Sequence, residues 1–303
     1  MISFFKGVKA TAAGLLLLCT LHSHSQAGKI IQQLHDPADK HVMVTAHRGD
    51  WRNAPENSLP AFRSAIEMGV DIVELDMNKT KDGVIVIMHD NTIDRTTDGK
   101  GRPSDYTLAE IKKFHLRNGQ GRVTRNLIPT LEEVMLLAKG KILVNLDKSY
   151  EYYNEAYQVL TSTGTLQQAI FKTDIPYQDL HTRYAPILDS ITFMAVVSLD
   201  KPAAKQIIDD YQTGMKPVAF ELIFQKDTSG ILTHNTFIKN KGAKIWINSL
   251  WPSLNGGHAD DVAVDESNTK DSWDWLIVHG ATIIQTDRPK ELLAYLRKRS
   301  LHI

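Results

Sequence analysis

The sequence is nearly without cysteine, and its one thiol, Cys19, falls in the first 27 residues. There Lys6 and Lys9 precede an apolar run from Ala10 to Leu21, and small residues Ser25 and Ala27 frame a cleavage site. That is the layout of an export signal, so the expected organisation is a signal peptide over 1–27 and one domain over 28–303, in the periplasm or secreted. Lipid attachment through Cys19 is the weaker alternative, because Leu17 and Leu18 stand where small residues usually precede a lipidated cysteine. Without Cys19 the mature chain excludes disulfides, thiol nucleophiles and thiolate metal sites, which leaves oxygen and nitrogen ligands. The apolar run is also short of the roughly 20 residues a bilayer span requires, which argues against stable membrane insertion. Charge of one sign is missing too: Lys plus Arg and Asp plus Glu number 35 each. No long-range field therefore favours nucleic acid, and any phosphate must be recognised locally. Internal repeats and Pro-rich linkers are absent, and the oligomeric state is not legible.

What is present is an ordinary globular composition of 303 residues, 42% apolar and 23% charged. Short β-branched runs alternate with longer amphipathic stretches, the pattern of an α/β protein with a parallel sheet. The candidate strands are Val42–Ala46, Asp71–Met77, Val84–Met88, Ile142–Asp147, Ala169–Lys172, Ile191–Val197, Val218–Leu222, Ala243–Asn248 and Ala281–Gln285. An eight-stranded barrel has no place for nine, but Asp82-Gly83 is a two-residue hairpin signal that pairs two of them locally. That loop predicts Lys81 opposite Val84 and Asp76 opposite His89, with Glu74, Asp76 and His89 on one face. Ser58–Met68 has helical spacing with Gly69 as its stop. The polar stretch between His89 and Leu131 reads as an ordered insertion near the active site.

Three constellations carry chemistry. His47-Arg48 follows an apolar strand and precedes Pro55-Glu56-Asn57-Ser58. The imidazole titrates near neutrality and the guanidinium fork suits two phosphoryl oxygens. Glu74 and Asp76 alternate inside an apolar strand, where two like charges need a cation, and carboxylates suit calcium, magnesium or manganese. His89 ends another apolar strand and supplies the acid that a general-base histidine needs as its counterpart.

His47-Arg48-Gly49, Pro55-Glu56-Asn57, Glu74-Leu75-Asp76 and His89-Asp90 resemble, in order and spacing, the motifs of glycerophosphodiester phosphodiesterases. Thr80–Gly83, Arg95–Gly99, Tyr106–Glu110 and Ile128–Glu133 resemble the family's connecting segments, and Ile283–Pro289 its last strand and turn. The match is strong over 42–148 and weak in the middle of the chain. The resemblance implies a TIM (β/α)8 barrel, here with an insertion after the third strand segment. It implies one divalent cation, Ca2+ or Mg2+, and hydrolysis of small glycerophosphodiesters to glycerol 3-phosphate and an alcohol. By position, His47 and His89 become acid and base, Arg48 a phosphate ligand, and Glu74 and Asp76 metal ligands. Glu56 and Asn57 complete the polar lining, with Glu56 a lesser candidate for the metal.

One departure stands out. The family's fourth strand usually ends Glu-x-Lys, with the acid on the metal and the lysine on phosphate, whereas this chain has Asn145-Leu146-Asp147-Lys148. The third ligand is then Asp147, brought round by a β-bulge, or Glu221 from a later strand. Trp246 borders the glycerol pocket by resemblance or is a core residue, while Trp251, Trp273 and Trp275 line a head-group rim or pack on the surface. The expected mechanism has one histidine deprotonate the glycerol 2-hydroxyl to give a cyclic glycerol phosphate while the other protonates the leaving alcohol; water then opens the ring. The alternatives are a related lyase on inositol-phosphate or lysophospholipid head groups, and a catalytically silent binder that lost its third ligand.

Overall fold

In most of the barrel's β runs, residues of one parity are apolar and those of the other change from apolar to polar toward the end of the strand, as in Ile72, Glu74 and Asp76 or Leu143, Asn145 and Asp147, and this alternation positions the site. The computed structural model describes residues 25–303. Its strands are β1 (Met43–Ala46), β2 (Ile72–Lys79), β3 (Ile85–Ile87), β4 (His115–Arg117), β5 (Val123–Leu127), β6 (Leu143–Asp147), β7 (Ala169–Thr173), β8 (Thr192–Ser198), β9 (Ala219–Ile223), β10 (Lys244–Asn248) and β11 (Ile283–Thr286). Eight are parallel and close in the order β1-β2-β6-β7-β8-β9-β10-β11 and back to β1. This is the expected (β/α)8 barrel, and all nine expected segments form strands.

Odd-parity and even-parity residues separate cleanly. Val44, Ala46, Val73, Leu75, Val144, Leu146, Phe171 and Phe220 join the outer core under the helices. Inside, Met43, Ile72, Leu143, Ile170, Met194, Ala219, Trp246 and Ile283 form an apolar floor. Helix α1 (Gln26–His35), capped by the Ser25 hydroxyl, plugs that floor with Ile30 and Leu34. Of the predicted signal segment, 1–24 lies outside the described residues, while Ala27 is buried in this helix. No described helix is long and apolar enough to cross a membrane.

The crossover helix α2 (Leu59–Met68) has Ser58 as N-cap and ends at Gly69, which takes a φ of 85°. Helix α3 (Leu131–Ala138) starts in a capping box of Thr130 and Glu133. The helices α4 (Tyr153–Thr163), α5 (Tyr177–Leu188) and α6 (Ala204–Gly214) make the next crossovers, single-turn helices make the last two, and α7 (Pro289–Lys298) closes the ring against β1.

The hairpin forms with a different register. Thr80 pairs with Val84 through backbone and side-chain bonds, and Gly83 sits at a φ of 85°. The loop is therefore the three residues Lys81-Asp82-Gly83, and Asp76 lies opposite Met88 rather than His89. Asp82 accounts for the extra residue, because its carboxylate accepts from the Thr80 hydroxyl and the Leu108 amide. The 89–130 insertion is ordered as expected. It contains the β4–β5 hairpin, and its Ile93, Ile111, Leu116 and Ile128 pack on Val86 and Met88 in a small core.

Candidate active site

Above the apolar floor the inward positions become polar: Thr45, Glu74, Asn145, Lys172, Glu221 and Gln285 are all buried. One step higher, β2 and β6 pair in register, Glu74 beside Asn145 and Asp76 beside Asp147. Glu74, Asp76 and Asp147 thus bring carboxylate oxygens within 4.8 Å of one another. β6 carries no bulge, which corrects the expected route for Asp147. Instead, Lys148 adopts the left-handed region at φ 52°, so that it and Asp147 both face the barrel mouth although they are adjacent. Leu146 belongs to the outer core.

The carboxylate trio has the chemistry of a cation site. Glu74 Oε1 and Asp76 Oδ1 are buried without a hydrogen-bond partner among the described residues, while their second oxygens accept from the Arg48 amide at 2.9 Å and the Asn57 side-chain amide at 2.8 Å. Burial, then the Asp76 charge, pushes the Glu74 carboxyl up to about 8. Each acid thus has one oxygen fixed and one without a donor, and this donor set fits a divalent cation.

His47 and Arg48 follow β1 directly. Gly49 must be glycine: its φ is 73°, and a Cβ there would lie 2.8 Å from the Ala61 carbonyl carbon. Arg48 and Asn57 also take positive φ, 53° and 56°, and such local strain is common at functional sites. Arg48 Nη1 bonds Glu56 at 3.1 Å and its Nε lies 3.4 Å from Asp76. Asn57 is buried and uses both ends of its amide on Asp76, so it positions that acid and does not line the cavity. Glu56 pairs with Arg48 and Arg95 and stands apart from the trio.

The two histidines are built alike. His47 Nδ1 is 2.8 Å from Asp287 Oδ1, and His89 Nδ1 is 2.7 Å from Asp90 Oδ1. Each pairing leaves Nε2 for a substrate. Burial pulls the His47 pKa down, but the Asp287 hydrogen bond and the nearby Glu74 charge outweigh it and raise the value overall. Asp90 is held well below the usual carboxylate range, chiefly by Arg95, which also grips Glu56. The Lys148 ammonium donates to the His89 carbonyl at 2.5 Å.

These groups meet at a cavity of about 430 Å³ at the C-terminal ends of the strands, lined by His47, Arg48, His89, Asp147 and Lys148 together with Tyr150, Asp174 and Trp251. That is the end of a (β/α)8 barrel where chemistry is sited. Three expectations need correction. Glu221 is committed to Lys172 at 3.0 Å and Asn248 at 2.7 Å and is not part of the trio. Trp246 is fully buried in the floor with its indole N–H on Asn248, and it does not border the cavity. Trp273 is buried on Asp260 and Trp275 is stacked on His258, so only Trp251 reaches the rim, its ring 5.9 Å from His47.

Sequence reasoning missed two groups. Asp287 orients His47 and also accepts from the Trp51 indole at 2.6 Å; its signal was an acid one residue beyond the last strand. Lys172 is buried between Glu221 and Asp147, the latter at 3.6 Å. Desolvation opposes its charge, yet Asp147 and Glu221 raise its pKa on balance. Its signal was a lysine at an inward parity position of an apolar strand.

Residues 47–185 match the glycerophosphoryl diester phosphodiesterase family, and residues 193–296 match a domain of unknown function. Over 109 residues the chain is 48% identical to a glycerophosphodiester phosphodiesterase of Caldanaerobacter subterraneus and 45% identical to human glycerophosphodiester phosphodiesterase 1. Those matches cover 35% and 34% of this chain and 44% and 32% of the relatives, so the chain spans less than half the length of the curated proteins it matches. Among solved structures, a glycerophosphoryl diester phosphodiesterase from Parabacteroides distasonis superimposes with a TM-score of 0.75 at 26% identity, over 91% of this chain and 93% of that one. An Oleispira antarctica phosphodiesterase, solved with its product sn-glycerol-3-phosphate, shares the fold at a TM-score of 0.61 and 23% identity, over 84% of this chain and 96% of that one.

Proposed function

Since this chain belongs to the glycerophosphodiester phosphodiesterase family, we propose that it hydrolyses glycerophosphodiesters to glycerol 3-phosphate and an alcohol, after export from the cytoplasm. The observation that carries the reading is the meeting, in one cavity, of two imidazoles anchored through Nδ1 by separate carboxylates with an acidic trio at its side. A divalent cation, Ca2+ or Mg2+, held by Glu74, Asp76 and Asp147 would polarise a phosphoryl oxygen and the glycerol 2-hydroxyl. Arg48 and Lys148 both line the cavity and neutralise charge on the phosphoryl group.

The Asp287 carboxylate on Nδ1 favours the protonated form of His47, which is assigned to protonate the departing alcohol. His89 takes the proton from the glycerol 2-hydroxyl as that oxygen bonds phosphorus and the ester bond to the alcohol breaks, giving cyclic glycerol phosphate. In the second step the roles reverse: His47 deprotonates water, water opens the ring, and His89 returns its proton to the 2-oxygen. Asp147, beside Asp76, fills the place of the missing family glutamate, whose absence was the only support for a silent binder.

Phosphorus NMR of the purified protein with glycerophosphocholine, glycerophosphoethanolamine and glycerophosphoinositol tests the reading, with calcium or magnesium, after chelation, and with His47→Ala. Metal-dependent glycerol 3-phosphate that disappears in the variant is the expected result. A cyclic end product would move the chain to the lyase class, and no turnover of any substrate would refute the proposal.

A further inference from the structure

At the opposite end of the barrel from the cavity, three side chains converge that the proposed chemistry does not use. His41 lies two residues before β1, Asp71 immediately before β2, and His302 beyond α7. His41 Nε2 is 3.0 Å from Asp71 Oδ1, and His302 Nε2 is 3.0 Å from Asp71 Oδ2. The ring centroids are 4.3 Å apart. All three side chains are less than a tenth exposed.

The hydrogen bonds of His302 give this cluster its meaning. Its Nδ1 is 2.9 Å from the backbone oxygen of Ile303, which has no proton to give. Nδ1 must therefore carry the hydrogen, and a neutral His302 then directs the bare Nε2 lone pair at the Asp71 carboxylate. Two lone pairs at 3.0 Å repel unless a positive charge lies between them. That charge is either a second proton on His302 or a cation bound by Nε2 and the carboxylate. An imidazole whose outer N–H donates to a backbone oxygen while its inner nitrogen faces other ligand atoms has the arrangement of a metal-ligating histidine. The spacing agrees: ligands at about 2.0–2.1 Å from a tetrahedral ion stand roughly 3.3 Å from each other, and the two N···O separations of 3.0 Å need to open by only a few tenths of an ångström.

We propose that His41 Nε2, Asp71 and His302 Nε2 form a second cation site, separate from the carboxylate trio, that binds zinc or a similar borderline transition ion. Two imidazoles and one carboxylate select against calcium and magnesium, which take oxygen ligands. Bound there, the ion ties the entries of β1 and β2 to the segment after α7. Asp71 already accepts the Val44 amide at 2.8 Å and the Val42 amide donates to the Leu301 carbonyl at 2.8 Å, so the ligands rest on paired backbone. The ion closes the barrel seam beside α1 and takes no part in turnover.

The test uses the full chain carrying Asp76→Asn, which disables the carboxylate trio, loaded with zinc or cobalt(II) and then gel-filtered. One equivalent of zinc by elemental analysis, the intense visible bands of tetrahedral cobalt, and no displacement by excess calcium are the expected results. Adding His302→Gln should weaken zinc about 100-fold or more and abolish the zinc-induced rise in melting temperature. The glutamine amide keeps a hydrogen bond to Asp71, so that variant is expected to fold, and His41→Gln gives an independent check. Absence of retained zinc, or retention undiminished by both glutamine substitutions, overturns the proposal. A doubly protonated His302 in zinc-treated protein, read by nitrogen NMR, overturns it as well and identifies the cluster as an ion-paired clasp.

Discussion

The Asp287–His47 pair allows its charge to be removed without disturbing its geometry. Asp287 Oδ1 accepts two hydrogen bonds, one from the Trp51 indole at 2.6 Å and one from His47 Nδ1 at 2.8 Å. In Asp287→Asn the indole N–H requires an acceptor, so the amide oxygen is fixed at the Oδ1 position. His47 then keeps its Nδ1–H tautomer, and only the negative charge is gone. A hydrogen bond to a charged partner contributes about 1.5–3 kcal/mol against about 0.5–1.5 for a neutral one, a difference of about 1.2 kcal/mol between the midpoints, close to one pKa unit. Since Asp287 helps raise the His47 pKa, the substitution lowers it. The protonated form needed to release the alcohol becomes scarcer, so the descending limb of the kcat profile should move down by about one pH unit, and the loss of kcat should approach about tenfold only at the alkaline end of the profile. KM should change little. Asp287→Ala also frees the tautomer and leaves the indole without its acceptor, and a loss of about 100-fold or more is expected. Steady-state rates across pH 5–9 for both variants make the measurement. An Asp287→Asn enzyme with the parent's profile would refute the assignment of His47 as the acid that Asp287 charges.

Three further outcomes follow from the same geometry. Asp76→Asn keeps the oxygen that Asn57 and Arg48 hold and replaces the unpartnered one with an amide, so the metal-free protein should melt no lower than the parent, while calcium or magnesium should no longer raise its melting temperature. Lys172→Met leaves Glu221 and Asp147 facing each other without their cation and should cost about 3–5 kcal/mol in urea unfolding. Asp260, whose carboxyl burial pushes up to about 6, accepts from Ser249, Trp273, Thr286 and the Asp287 amide. Its raised pKa means that the folded state binds the proton more tightly, so its contribution to stability is greatest below about pH 4 and declines as pH rises to 6. Asp260→Asn removes that dependence, yet it turns an NH2 toward the Trp273 or Asp287 N–H and should still cost about 1–3 kcal/mol at pH 7.

The parts of this structure legible in the sequence are those written in contiguous periodicity. Nine β-branched runs became nine strands, and Ser58 and Gly69 marked the ends of α2, because strand alternation and capping depend on neighbours in the chain. His47, Arg48, Glu74, Asp76 and His89 were found because polar groups interrupt apolar runs at strand ends. The errors arose where one residue's conformation decides what the next one faces. A two-residue loop was expected at Asp82-Gly83, but Thr80, Asp82 and Leu108 bond around a three-residue loop and shift the register by one. A bulge was invoked to turn Asp147 inward, whereas β6 is regular and the turn lies at Lys148, a non-glycine residue with positive φ that local pattern does not announce. Lys172 and Asp287 were missed for a different reason. Their partners are remote in sequence: Asp147 and Glu221 lie 25 and 49 residues from Lys172, and His47 lies 240 residues from Asp287. Closing the barrel brings each group beside its partners, since β11 pairs with β1 and the inward faces of β6, β7 and β9 meet across the interior. Strand parity by itself would have placed Lys172 inside with Ile170. A buried lysine needs a carboxylate, and that requirement, applied to every inward charge of the barrel, is the rule that recovers Lys172 and its partners from the sequence once closure is assumed.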